Sequence, residues 1–245
     1  MHRLPIVLLL SAAFISVVAN EASAQNYPGV VRLDDPAVGA GAYPPTGRHS
    51  GLLGKMYLQG RYLHIEGDDP VVSQFDDTLQ GFDVFFNAPI PWFHAVTPGM
   101  GVDAFFNYAR VGLDGTNSGL SVDADVQVYR AGATLYAEFY GPIRPFVQVG
   151  AEHGANSIRI SDGFTSLRVK DYNTYLLLNV GIEADINQMA STRLMLEIDT
   201  DQFESSPFTA DLILWPDPRF FLRGGLYVTL DGNEIGGQVG AGFVF

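Results

Sequence analysis

The sequence predicts an all-β chain, an antiparallel up-and-down transmembrane β-barrel of about ten strands, with eight as the alternative count. Three observations carry that prediction. Apolar and polar residues alternate in runs of about ten from Leu53 to Phe245, and no stretch carries a helical stripe. The first 24 residues have the makeup of an export signal. The connections after even-numbered runs carry turn segments, three of the four with Pro, whereas those after runs 1, 3 and 5 are acidic and Gly- or Ser-containing.

The export signal comes first in the chain. Arg3 supplies the positive start, "LPIVLLLSAAFISVVA" the apolar run, and Ala22-Ser23-Ala24 a small-x-small cleavage site, so the mature chain begins near Gln25. The alternative, an uncleaved anchor helix, would need a longer apolar run, and beyond the signal no window of about 18 apolar residues occurs. Residues 25–52, rich in Pro and Gly without a period of 2 or 3.6, read as an extended tail. With no Cys, an exported chain has neither disulfides nor a lipid-modified cysteine and is held by its fold alone. A net charge of −13, with only 14 Lys and Arg, excludes a nucleic-acid surface.

Residues 53–245 divide into strands at roughly 53–65, 79–88, 100–111, 129–140, 144–154, 172–186, 191–200, 207–215, 218–230 and 235–245. Each run separates into two lists, because successive side chains point to opposite faces. One list is apolar: Leu58, Tyr62, Phe82, Phe106, Tyr129, Val149, Leu176, Leu226 and Val239 are typical, and Arg110 is its one full charge. The other holds Lys55, Arg61, Asp83, Asp103, Arg130, Glu138, Glu152, Glu183, Asp185, Arg193, Glu197, Asp199, Asp211 and Arg223, together with many glycines. A soluble sandwich would also alternate, but with its charges in water; charges shared with glycine suit a crowded, curved interior, so the apolar face meets lipid. Segment 121–128 resists this scheme, because its apolar positions are even-numbered whereas those from Tyr129 are odd-numbered. A bulge, a strand rising above the membrane, or a separate short hairpin would each account for it.

The connections after strands 2, 4, 6 and 8 carry "NAPIPWFHAVTPG", "GPIRP", "NQMAS" and "PDP", and those after strands 1, 3 and 5 are expected to be longer, external loops. Trp92, Phe93, Phe139, Tyr140, Phe146, Trp215 and Phe220 gather toward the edge with the short turns, as an interfacial aromatic girdle would.

The last eight residues, "QVGAGFVF", resemble the terminal assembly signal of bacterial outer-membrane β-barrel proteins. Gln238, Gly240, Phe243 and Phe245 occupy its four places. The resemblance implies the outer membrane of a Gram-negative-type bacterium, outer-membrane lipid as surroundings, and recognition of the final strand by the barrel-assembly machinery through strand-edge pairing.

Function is less constrained, because barrels of this size serve as structural proteins, surface-interaction proteins, narrow pores and enzymes. Only His64 and His153 stand where a rim-located lipid- or peptide-hydrolysing site could use them, and neither falls in a hydrolase motif; His153 and Glu152 point apart along one strand. Both histidines read more simply as interfacial residues, leaving no catalytic assignment. The interior charges form either a sealing network, in which Arg61, Arg130, Arg193 and Arg223 each find a carboxylate, or a narrow cation-favouring path. Interior bulk from Tyr57, Phe85, Phe105, Tyr136, Tyr175, Phe221 and Tyr227 favours a filled lumen. The acidic clusters Glu66/Asp68/Asp69, Asp76/Asp77 and Asp199/Asp201/Glu204 would offer oxygen ligands to divalent cations, but fit no defined calcium loop and read more simply as solvated charge. No cofactor or resident metal is expected. The leading expectation is a structural or surface-interaction barrel with a largely filled, charged lumen, the alternative a narrow porin-like channel.

Overall fold

A computed structural model describes residues 50–67, 78–97, 99–117, 120–138, 142–162, 164–198 and 206–245. Ten strands, β1 Tyr57–Gly67, β2 Thr78–Pro89, β3 Met100–Asn117, β4 Leu120–Ala137, β5 Ile143–Ser161, β6 Ser166–Asn187, β7 Ala190–Glu197, β8 Pro207–Asp217, β9 Phe220–Thr229 and β10 Glu234–Val244, follow one another around a closed barrel. Every pairing is antiparallel between chain neighbours, and β1 closes on β10 from Tyr57↔Val244 to Gly67↔Glu234. A short helix, α1 Pro91–Val96, joins β2 to β3, with Pro91 at its first position, where a missing N–H costs nothing. The rim where β1 begins and β10 ends, which also carries α1, is the near rim; the opposite one is the far rim.

Alternation sets side chains on two faces of the wall. Leu58, Tyr62, Phe82, Phe106, Val149, Leu226 and Val239 stand on the outer surface, while Gln59, Asp83, Asp103, Asn107, Gln148 and Glu183 are buried within. The interior is packed by a repeated device. Tyr136, Phe105, Phe146 and Phe221 lie directly opposite Gly101, Gly132, Gly181 and Gly242 on the neighbouring strand. In each pair a Cβ on the glycine would overlap or crowd the aromatic ring. Removing one side chain thus lets the ring lie flat across the next strand, filling a narrow lumen without splaying the wall. Because Phe221 lies across β10 at Gly242, it reaches Tyr57 on β1, with ring centroids 5.6 Å apart; Phe85 and Phe105 continue the belt at 5.8 Å each.

The wall is far from level. β3, β4, β5 and β6 run 18, 18, 19 and 22 residues, against 8 to 12 for the other strands. About 9–11 residues cross a bilayer core, so the four long strands rise together beyond the far rim. This corrects the expectation of long loops after strands 3 and 5: most of those residues belong to strands. It also resolves segment 121–128. The β3–β4 register runs unbroken from Met100↔Ala137 to Asn117↔Leu120, which rules out a bulge and a separate hairpin. The strand keeps its phase, and what changes with height is which face is apolar.

Candidate functional site

The near mouth of the lumen is filled by the chain itself. Ser50–Gly54, whose first three residues were read as the end of the tail, enter the barrel before β1. Leu52 packs with Tyr57, Ile213, Trp215 and Phe221, and Leu53 with Tyr136 and Phe146. The Ser50 hydroxyl is 3.0 Å from Asp185 Oδ1 and 2.7 Å from the Ala190 carbonyl, and the Ser50 carbonyl accepts from Ser191 Oγ at 2.8 Å and from Trp215 Nε1. Leu53 N–H donates to Glu183 Oε1 at 3.1 Å and Gly54 N–H to Asp103 Oδ2 at 2.9 Å. Gly54, at φ 77°, makes the turn into β1 that an L side chain would strain. The polar contacts of this segment reach β3, β6, β7 and β8, so it is held as a plug.

Arg144 is the cation that secures the plug's carboxylates. It is 3% exposed, bonds Asp185 through both terminal nitrogens at 2.6 and 2.9 Å, and stands 3.4 Å from Glu183 Oε1, on a residue with 0% exposure. Sequence reading began strand 5 at Arg144 but left it off the lumen list, reading "GPIRP" as a turn; its parity with Phe146 and Gln148 turns it inward. Lys55 Nζ lies 4.1 Å from the Trp215 ring centroid. Glu138, half-buried, follows β4 at the same rim.

Higher in the lumen several arginines pair with carboxylates. Arg61 chelates Asp83 and donates to Gln238 Oε1 at 2.8 Å; Arg130 bridges Glu152 at 2.5 Å and Glu197 at 2.9 Å; Arg223 pairs with Asp211 at 2.5 Å. Gln238 also donates to Asp211, so one chain of contacts crosses β1, β2, β8, β9 and β10. Arg193 departs from expectation. Among the described residues it makes no salt bridge; its guanidinium carbon lies 4.4 Å from the Phe146 ring centroid, with Glu183 directly across the strand pair. A ring face stands where a carboxylate was expected. Asp199 lies outside the described residues.

The described lumen therefore holds six cations (Lys55, Arg61, Arg130, Arg144, Arg193, Arg223) and eight carboxylates (Asp83, Asp103, Glu138, Glu152, Glu183, Asp185, Glu197, Asp211).

At the near rim the girdle is thinner than expected. Trp92, Phe93 and Phe220 stand at the outside, Phe139 and Tyr140 lie outside the described residues, and Phe146 and Trp215 face inward, 3% and 7% exposed. Strand parity decides the last two: each neighbours an outward residue, Val147 or Leu214. Phe243 and Phe245 of the terminal pattern point outward at this rim, ring centroids 5.7 Å apart, while Gln238 and Gly240 face the lumen beside Arg61.

His64 and His153 sit apart, on β1 and β5. His64 Nε2 is 3.4 Å from Glu66 Oε1 on its own strand; His153 Nδ1 is 3.0 Å from Thr174 Oγ1 and its ring stacks on Tyr172. Ser157 accepts from Arg168 at 3.1 Å, and Glu152 is turned inward to Arg130. These distances assemble no nucleophile–base–acid set around either histidine. Of the acidic loop clusters only Glu66 is described; Asp68, Asp69, Asp76, Asp77, Asp201 and Glu204 lie outside the described residues with Asp199.

The raised wall has two distinct faces. Its outer face climbs in cross-strand rows from apolar (Phe106, Ala131, Ala151, Leu176), through a row of rings (Tyr108, Tyr129, His153), to polar and charged residues (Asp125, Ser157, Lys170; then Asp123, Arg159, Arg168). Tyr108 and Tyr129, with centroids 5.0 Å apart, mark a far-rim girdle that sequence reading did not single out. Its inner face carries Asn156, Asp171 and Asn173 in its lower rows and becomes apolar toward the tip, where Ala124, Ile158 and Val169 form one row and Val122, Ile160 and Leu167 the next. Ile158, Ile160, Val169 and Leu167 are exposed there. The β5–β6 tip is fastened by Asp162, whose carboxyl is held below its ordinary range by the backbone N–H groups of Thr165 and Phe164.

A closed, ten-stranded, up-and-down barrel with a lipid-facing apolar surface and a charged interior has the fold of the bacterial outer-membrane β-barrels. No family model matches the chain, and no curated protein matches it in sequence. Solved structures match in fold. The transport unit of the autotransporter AIDA-I from Escherichia coli aligns over 78% of this chain and 90% of its own, at 11% identity and a TM-score of 0.50. Ail, the attachment invasion locus protein of Yersinia pestis, aligns over 78% and 97% at 16% identity and 0.37, and the outer-membrane phospholipase A from Escherichia coli over 76% and 89% at 10% and 0.38.

Proposed function

We propose that this protein is an exported outer-membrane barrel with a sealed lumen that serves a structural or surface-interaction role, the raised β3–β6 wall being its interaction element. The observation that carries this reading is the Ser50–Gly54 plug, seated on Glu183, Asp103 and Asp185 beneath a layer of lumen ion pairs. On this reading the near rim faces the periplasm and the far rim the exterior. The apolar inner face of the wall then stands above the mouth, where exposed apolar area of this kind marks a contact surface. Planar-bilayer recording on the purified full-length mature barrel is the test. The expected result is a silent membrane; stepwise conductance would instead establish the narrow porin-like channel.

Assembly follows from the terminal pattern. Deleting Phe245 removes the outermost ring of the Phe243/Phe245 pair without touching the lumen, so heat-shifted barrel in the outer-membrane fraction is expected to fall several-fold while its unfolding midpoint holds. An unchanged yield would mean that the assembly machinery does not read this residue.

A further inference from the structure

We propose that residues 42–45 of this chain, Ala42, Tyr43, Pro44 and Pro45, return over the near rim and dock in an apolar groove on the outside of the barrel, so that the segment plugging the mouth is gripped from both sides of the wall. The inference extends the plug and does not depend on which side of the membrane the near rim faces. Its first support is the groove. A cavity of about 720 Å³ opens at the near rim between the β6–β7 and β8–β9 turns, walled by Met189, Ala190, Leu214, Pro216 and Leu222. Met189, Leu214 and Leu222 are exposed, whereas Ala190 and Thr192, outward by parity, are 8% and 4% exposed, which gives a recessed floor rather than a flat lipid-facing wall. The groove sits where both hairpins lose regular pairing, with register shifts at Asp185/Asn187 and at Leu214/Asp217.

The second support is where the chain enters the lumen. Ser50 is bonded to the Ala190 carbonyl, Ser191 and Trp215, and Ala190 and Trp215 also line the groove, so Ser50 and the groove lie on opposite sides of the same strand pair. Seven residue steps separate Tyr43 from Ser50, a reach of about 23–25 Å. Rising past the turn at Gln188 and Met189 and crossing a wall one strand thick takes about 20 Å. A segment tethered this closely has an effective concentration on the order of millimolar, which an untethered partner would have to exceed. The third support is chemical. Pro44 and Pro45 carry no N–H, so this stretch brings two fewer donors into apolar surroundings. Gln188, which forms no hydrogen bond among the described residues, stands at the groove to meet a backbone carbonyl. The Tyr43 ring suits a groove at a membrane rim, because its body is apolar and its hydroxyl can stay in water.

The chain has no cysteine, so an introduced pair is the only one present. In the full mature barrel folded in phosphatidylcholine vesicles, Tyr43→Cys with Met189→Cys should form an intramolecular disulfide under mild oxidation. The rate should be about tenfold that of Tyr43→Cys with Val147→Cys, an outward residue on β5 near the same rim that an undocked tail would reach as well. Equal rates overturn the proposal. Disulfide-linked dimers from the first pair overturn it too, because they put a second copy in the groove. Without introduced cysteines, Tyr43→Asp should speed tryptic cleavage after Arg48 about tenfold, while Tyr27→Asp matches wild type; cleavage unchanged by Tyr43→Asp also overturns the docking. Heat-shifted migration of each variant keeps these outcomes separate from a failure of the barrel reading, which would abolish the shift itself.

Discussion

Arg144→Ala is expected to lower the stability of the folded barrel by about 3–5 kcal/mol, the cost of leaving a buried ion-pair network without its cation. Glu183 and Asp185 are buried and both depend on Arg144, and Glu183 in turn accepts from the backbone of the plug. Removing the arginine would strand two carboxylates and loosen Leu53. Denaturant unfolding in lipid vesicles, followed by tryptophan fluorescence, gives the number directly, because Trp215 donates to the Ser50 carbonyl and reports the plug's position. Combining Arg144→Met with Glu183→Gln and Asp185→Asn should recover much of the loss, since a neutral cluster has no uncompensated charge. A near-neutral single variant would mean that the network does not hold the plug. In the planar bilayer the same variant should flicker open where wild type stays silent.

The second large effect concerns backbone approach rather than charge. At Gly132 a Cβ would overlap the Val149 carbonyl oxygen and come within 2.7 Å of Gly150 Cα, while Phe105 fills the remaining space at 3.0 Å. Gly132→Ala should therefore force the β4–β5 seam apart, at a cost of about 1–3 kcal/mol from overpacking. Gly154, on the same seam, meets nothing within 4 Å. Gly154→Ala should stay within about 0.5 kcal/mol of wild type. The comparison removes any general effect of alanine in a strand. Equal behaviour of the two variants would show that close strand approach is not what glycine supplies here.

The lipid-facing band and the lumen list were legible residue by residue. Period-2 alternation is a local property of a strand, and burial by lipid on one side and a narrow lumen on the other imposes it at every position; Leu58, Asp83, Arg130 and Val239 each stand where parity puts them. Strand length was legible only where the apolar list marks it. Beyond the bilayer the outer face of β3–β6 becomes polar and the inner face apolar, so the pattern inverts at Tyr129 although the register does not change, and a reading by pattern stopped the strands there. Arg193 shows the corresponding limit in the interior: it lies directly across the strand pair from Glu183 yet stacks on the Phe146 ring, an arrangement set between strands that no single run of residues contains.

What the sequence determined by itself was therefore the class of fold, the face each strand turns to lipid, and the pattern that ends the last strand, because all three depend on neighbours along the chain. Only the tertiary structure decided that Ser50–Gly54 closes the near mouth, that four strands rise as a wall with two unlike faces, and that cations on β5 and β6 meet above a row of rings. The first joins residues up to 165 positions apart, and the other two depend on how neighbouring strands are paired. Their energies come from contacts between strands, which register and closure set, and alternation along one strand says nothing about height on the next.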